Sequence, residues 1–129
     1  ITAQRDSLRK SFLHRFRSAG LDALLCPSLG LPAFPHGASM LLNQACTYTF
    51  IWNNFNLPAG VLPVSVVRED EQSYDGGQHD DSITAAARAA MAGSAGLPVG
   101  VQVVGLPWRD EACMGAMRVV EQALGKPDL

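Results

Sequence analysis

Residues 96–105 are the stretch on which the fold prediction depends, and they read Gly-Leu-Pro-Val-Gly-Val-Gln-Val-Val-Gly. Valine stands at alternate positions 99, 101 and 103, which is the two-residue period of a β-strand. Glycine inside a strand is typical of a place where another part of the chain approaches the backbone closely. The segment therefore predicts a strand with close packing at Gly100 and Gly105.

Helices and further strands alternate along the rest of the chain. An apolar run over 23–26 ends at Pro27, and a second apolar run covers 61–67. Pro63 lies inside the second run and cannot donate to a ladder, so we expect an edge or a bulge there. Apolar residues with helical spacing, or alanine-rich composition, predict helices over 3–19, 39–55, 82–92 and 109–124, with a strand as the alternative for 47–52.

The order of these elements is helix, strand, helix, strand, helix, strand, helix. Strands that alternate with helices are typical of α/β proteins whose strands run parallel. The sequence therefore predicts an α/β fold with a mainly parallel mixed sheet flanked by helices.

Length and composition limit the class of protein. The chain has 129 residues and a mass of 13.8 kDa, which is the size of one ordinary domain. Apolar residues make up 47% and charged residues 17%, and this balance excludes a disordered chain. The small charged fraction, together with Ile1 in place of an initial Met, predicts a fragment of something larger. The net charge of −2 argues against nucleic-acid binding, which favours a basic surplus.

The cysteines and the apolar runs indicate the compartment. Cys26, Cys46 and Cys113 each lie in an apolar run, and three cysteines cannot all pair within one chain. We therefore expect reduced, buried thiols and a cytoplasmic location. No apolar run reaches the ~20 residues that a membrane span needs, so we expect no membrane span, and we expect no signal peptide.

Residue patterns alone indicate little chemistry. Ser94 lies in Ala-Gly-Ser-Ala-Gly, which resembles a G-x-S-x-G elbow, but a helix precedes it and a strand follows, the reverse of that motif. We interpret it as a turn of small residues. No two histidines share a metal-ligand spacing, so we expect no metal and no cofactor. The aromatic residues of 48–55 fit either an apolar pocket or, as we favour, ordinary core.

Two segments resemble the amidase signature family. Residues 49–64, which read Thr-Phe-Ile-Trp-Asn-Asn-Phe-Asn-Leu-Pro-Ala-Gly-Val-Leu-Pro-Val, resemble its C-terminal block, and 96–105 resemble its G-L-P-x-G-x-Q strand. Residues 21–27, 106–113 and 117–122 are similar to the fatty acid amide hydrolase branch of that family. The resemblance implies that 1–129 form the C-terminal fragment of an amidase domain.

The family hydrolyses amides with a Ser–cis-Ser–Lys triad, in which Lys accepts a proton, one Ser relays it and the other attacks the carbonyl. The triad segment lies outside this sequence, so we assign no catalytic residue. The resemblance implies a parent amidase that cleaves fatty acid amides, N-acylethanolamines and primary fatty amides, to fatty acid and amine. The alternatives are a small-amide or aryl amidase, the amide-cleaving component of a tRNA-dependent amidotransferase, and a truncated, non-catalytic binding module.

The same resemblance implies which residues contact substrate. Aligned on Pro58, the positions that line the acyl channel fall at Cys46 and Phe50, with Asn43 one turn earlier. Cys46 and Phe50 are four apart, so one helix face can present both, and the bulk of Phe50 would narrow the channel. The implied partners are the rest of the amidase domain and the fatty acid amide substrate. Contact of the parent with a membrane surface and a homodimer are left open.

Overall fold

The computed structural model describes residues 2–125. The predicted helices and strands are present, but the predicted helix over 39–55 is divided into a short helix, a 3-10 helix and a longer helix. The elements are α1 Thr2–Ser18, β1 Leu24–Pro27, α2 Ser39–Leu42, the 3-10 helix Asn43–Cys46, α3 Thr47–Phe55, β2 Ala59–Val66, α4 Ser82–Met91, β3 Pro98–Val104 and α5 Asp110–Leu124. The strand alternative for 47–52 is therefore wrong.

The three strands form one sheet in the order β1-β3-β2, and β3 runs antiparallel to both neighbours. Gln102 is opposite Cys26 on one side and opposite Val61 on the other. The predicted mainly parallel sheet is therefore wrong, although the class, helices packed on a sheet, is correct.

The reason for this error lies in the connection between β2 and β3. The backbone N–H of Val67 donates to the carbonyl of Leu97 at 2.9 Å, and the N–H of Gly96 donates to the carbonyl of Val67 at 2.8 Å. The two strands thus form a long hairpin, and α4 lies within its loop. Alternation of helix and strand predicts parallel pairing only where the helix carries the chain back along the sheet. Here α4 instead packs on α2, through a cluster of Leu42, Ala87 and Ala90.

Helices cover both faces of the sheet. Val103 and Val104 are fully buried and, as neighbours in a strand, point to opposite faces. Val104 packs with Leu13 of α1 and Phe55 of α3, whereas Val103 packs with Cys113 of α5. Consecutive buried valines at the end of the central strand therefore hold two layers of helix to one sheet.

The proline and glycine predictions for the strands are confirmed. β2 is an edge strand, and its register against β3 shifts between Pro63 and Ser65. A Cβ placed on Gly100 would lie 2.9 Å from the carbonyl oxygen of Leu62, and one on Gly105 would lie 3.0 Å from Cβ of Cys113. Both glycines therefore lie where a side chain would collide with a neighbouring segment.

Candidate functional site

The three residues predicted to contact substrate lie on one continuous stretch of helical chain. Asn43 and Cys46 are the first and last residues of the 3-10 helix, and Phe50 lies in the first turn of α3. The backbone continues in helical conformation through Thr47, so Cys46 and Phe50 are separated by about one helical turn. Asn43 is exposed, Cys46 is half-buried, and Phe50 is 55% exposed.

Phe50 belongs to a larger apolar surface on α2 and α3. Its members are large apolar or aromatic side chains that the described part of the chain leaves open to solvent, and Met40 is 83% exposed. We call this the α2–α3 apolar surface, and it consists of Met40, Leu41, Tyr48, Phe50 and Ile51. Several large apolar side chains exposed on one short stretch of chain are typical of ligand grooves or protein interfaces. The interpretation of the aromatic run as ordinary core is therefore only half right.

The other two aromatic residues of that run do enter the core. Phe55 is buried, and Trp52 packs beside it, with its ring 5.7 Å from that of Phe12 on α1. The guanidinium of Arg9 donates to the carbonyl of Phe55, where the partial negative charge of the α3 C-terminus favours a cation. The C-terminal end of α3 is thus fixed to α1.

Two clefts lie beside the loop that follows β1, and the smaller of them is also lined by Tyr48 of α3. The larger has a volume of about 660 Å³ and is bounded by the loop after β1, by β2 and β3, and by residues 71–74. The smaller, of about 330 Å³, lies between that loop, α3 and α4. Gly30, Leu31 and Tyr74 line both clefts, so they form the wall between them. Asn43, Cys46 and Phe50 are not among the residues that line either cleft.

Sequence reasoning does not identify the cleft residues. The Pro- and Gly-rich loop that supplies Gly30 and Leu31 is recognisable only as irregular, and Tyr74 lies in an acidic segment that is typical of an exposed loop. The lone aromatic residue in that polar segment, Tyr74, is the signal that could have indicated a cleft-lining position. Two polar side chains of the larger cleft are engaged: the hydroxyl of Ser28 donates to the carbonyl of Gly100 at 3.1 Å. Glu71 accepts a hydrogen bond from the backbone N–H of Arg68 at 3.0 Å.

Ser94 lies where a turn residue is expected. It follows α4 and precedes β3, and it is 1% exposed. Its hydroxyl has no hydrogen-bond partner among the described residues, so no base there is positioned to activate it. Across residues 2–125, no group of three or more His, Cys, Asp or Glu side chains could hold a metal ion.

The thiols differ in their surroundings. All three cysteines are free, and Cys113 is buried while Cys26 and Cys46 are half-buried, so the burial prediction holds in full only for Cys113. The thiol of Cys113 donates to the carbonyls of Val103 at 3.5 Å and Pro58 at 3.7 Å. Burial raises the pKa of Cys113 above its ordinary value, because the interior disfavours the thiolate. A protonated, hydrogen-bonded thiol of this kind has a packing role and is a poor nucleophile.

Comparison with known proteins identifies the family. The family model described as Amidase matches residues 1–114. The chain belongs to the Amidase family.

Across residues 2–125 no helix combines the length and the apolar character that crossing a membrane requires.

Two relatives in this family are named as fatty acid amide hydrolases. The chain is 39% identical over 119 residues to fatty-acid amide hydrolase 1 of Sus scrofa, a match that covers 90% of the chain and 20% of that protein. It is 31% identical over 124 residues to fatty acid amide hydrolase 1 of Caenorhabditis elegans, covering 95% of the chain and 22% of that protein. The chain therefore spans about a fifth of the length of these relatives.

A solved structure shares the fold. A fatty acid amide hydrolase superposes with a TM-score of 0.75 at 20% sequence identity, over 96% of the chain and 22% of that structure. At this identity the likeness establishes that the Amidase chain has the same arrangement of helices and antiparallel sheet.

Proposed function

We propose that this chain is part of a serine amidase that hydrolyses fatty acid amides, N-acylethanolamines and primary fatty amides, to a fatty acid and an amine. Membership of the Amidase family and two relatives named as fatty acid amide hydrolases support this proposal. In the proposed enzyme the nucleophile and its Ser and Lys partners come from elsewhere in a longer polypeptide. The present segment supplies fold and the lining of the acyl channel.

The observation that carries the proposal is the exposure of Phe50 within the α2–α3 apolar surface. Hiding apolar area from water is favourable by about 25 cal/mol per Å², so a fatty acyl chain would bind well against such side chains. Asn43 adds one exposed amide at the start of the 3-10 helix. A mostly apolar lining with a few polar groups is typical of small-molecule sites.

The contribution of these residues to the reaction is orientation. An acyl chain held against Cys46 and Phe50 places its amide carbonyl at one end of the channel, where the nucleophilic serine attacks it. Each methylene group buried on binding contributes about 0.8 kcal/mol. Binding energy from this remote part of the substrate lowers the barrier by fixing the carbonyl in a reactive position. The proposal therefore expects reactivity to rise with acyl chain length until the channel is full.

The test is to compare acyl amides of different length with the full-length protein. We expect a higher kcat/KM for oleamide and anandamide than for short acyl or aryl amides, and no turnover by the 129-residue chain alone. Hydrolysis of short or aryl amides without long-chain activity would replace the proposal with a small-amide or aryl amidase of the same family. Enzyme-like turnover by the 129-residue chain alone would refute the proposal that the nucleophile comes from another part of a longer polypeptide.

A further inference from the structure

Gln102 is a buried polar side chain in the middle of the central strand. It is 3% exposed, and β-strands flank it on both sides. Its Nε2 donates to the backbone carbonyl of Tyr48 at 3.1 Å and lies 3.4 Å from Sγ of Cys26. Leaving a buried amide without partners costs about 1–3 kcal/mol. The amide is therefore held in one orientation, with Nε2 between the Tyr48 carbonyl of α3 and the Cys26 thiol of β1.

The hydrogen bond from Gln102 reaches the N-terminal part of α3, which is not packed into the hydrophobic core. Phe55 is the buried residue of this helix, and it lies at the C-terminal end, where Arg9 also binds. The first turn of α3 is instead joined to the sheet by the hydrogen bond from Gln102 to the carbonyl of Tyr48. One turn earlier, the N–H of Gly30 donates to the carbonyl of Ala45 at 3.0 Å.

Tyr48 lies midway in sequence between Cys46 and Phe50. A hydrogen bond from the sheet to the Tyr48 carbonyl therefore fixes how far this helical segment lies from the sheet and how it is rotated about its own axis. Both Cys46 and Phe50 lie on this segment. Because β3 is paired on both sides, it is the most rigid element available for this purpose. The position of Phe50 relative to the sheet thus depends on the length and chemistry of the Gln102 side chain.

We infer that Gln102 is a positioning residue that sets where Cys46 and Phe50 stand, and through them which acyl chains the enzyme accepts. This inference rests on the proposed function. It assigns to the glutamine of the 96–105 strand a role in substrate selection in addition to its place in the fold.

The test uses the full-length protein with Gln102→Met, which keeps the shape of the side chain and removes both donors. We expect backbone amides of residues 49–52 to exchange about fivefold faster, because one buried hydrogen bond is lost, while amides of β3 keep their rates. We expect KM for a long-chain amide to rise about fivefold, with kcat for a short acyl amide unchanged. Gln122→Met is the matched control, since Gln122 is an exposed glutamine on α5.

The outcomes separate the two proposals. If Gln102→Met is active but keeps the exchange rates and the chain-length profile of the unmutated protein, the positioning role is wrong. If the unmutated protein does not hydrolyse long-chain amides, the proposed function fails and takes the selection role with it, whatever the exchange rates. Should Gln102→Met fail to fold, Gln102→Asn retains the amide but shortens the side chain by one methylene group. An unchanged chain-length profile in that variant overturns the inference equally.

Discussion

Gly60 lies directly against the side chain of Met117. A Cβ on Gly60 would lie 2.7 Å from Cε of Met117 and still closer to its sulfur. Gly60 is the glycine of the Pro-Ala-Gly sequence that leads into β2, and Met117 lies on the face of α5 that packs on the sheet. The end of the Met117 side chain therefore occupies the space that a side chain at residue 60 would fill.

Gly60→Ala should lower the free energy of unfolding of the full-length protein by no more than about 1 kcal/mol, because the added methyl group meets only the flexible end of Met117, which can move aside at small cost. Urea unfolding measures the loss. Gly115→Ala is the control: no atom lies within 4 Å of a Cβ placed there, and alanine in a helix is favoured over glycine by about 1 kcal/mol. In a Met117→Ala background the cost of Gly60→Ala should nearly vanish, since the two residues are in contact. If the two substitutions lower the free energy of unfolding additively in the double variant, the contact between Gly60 and Met117 does not explain the cost.

Cys113 should make stability fall at alkaline pH. Burial raises its pKa above the ordinary 9.0, so the folded protein holds this proton after the unfolded chain has released it. The contribution is fully present below 9.0 and is lost as pH rises through the folded-state value. Unfolding measured at successive pH values above 8 should show a steeper decline for the natural protein than for Cys113→Ser, whose hydroxyl can donate to the same carbonyls.

Thiol modification gives a second readout of the same difference in burial. A disulfide reagent at neutral pH should modify Cys46 and Cys26 before Cys113, which should react only when the protein opens. Rapid native modification of Cys113 would contradict its buried, protonated state.

Asp81 should hold the start of α4 in a pH-dependent way. Its carboxylate accepts a hydrogen bond from the backbone N–H of Thr84 at 2.8 Å, and that bond is the main reason why the pKa of Asp81 is lowered from 3.8. The stabilisation is therefore complete above 3.8 and is lost as pH falls through the lower folded-state pKa. Backbone amides of α4 should exchange faster in Asp81→Ala than in the natural protein at neutral pH.

Asp80→Ala is the matched control for this prediction. Asp80 is the adjacent acid, and its exposed contact with Arg88 at 3.5 Å is of the kind that contributes little. Equal changes in α4 exchange for the two variants would show that charge, and not capping, is responsible. Asp81→Asn should preserve the cap and remove its dependence on pH.

Local signals in the sequence correctly predicted most of the helices and strands and the residues that interrupt the strands. The apolar spacing of α1 and α5, the edge position of Pro63 and the close approach at Gly100 all depend on neighbours within a few residues or on the chemistry of one residue. Such features can be predicted because the residues that form the sequence pattern are the same residues that determine the local structure.

Strand direction and the location of the clefts could not be predicted in the same way. The sheet is antiparallel because α4 packs on α2 and away from the sheet, which depends on contacts of Leu42 with Ala87 and Ala90, residues far apart in the chain. Tyr74 lines both clefts because its loop folds back over Gly30, and no local pattern encodes that return. The division of 48–55 into exposed and buried aromatic residues likewise depends on where α1 lies.

Phe50→Ala should shift the acyl preference of the proposed enzyme toward longer chains. The ring of Phe50 occupies space on the proposed channel face, and removing it makes room for additional methylene groups, each contributing about 0.8 kcal/mol when buried. We expect kcat/KM to fall for medium-length acyl amides, which lose contact with the ring, and to rise for longer ones. A series of saturated primary amides assayed with the full-length protein measures the profile. Asn54→Ala is the control, because Asn54 is exposed on the same helix but does not belong to the α2–α3 apolar surface. If the two variants shift the profile equally, the effect is a general loosening of α3, and Phe50 does not face the acyl chain.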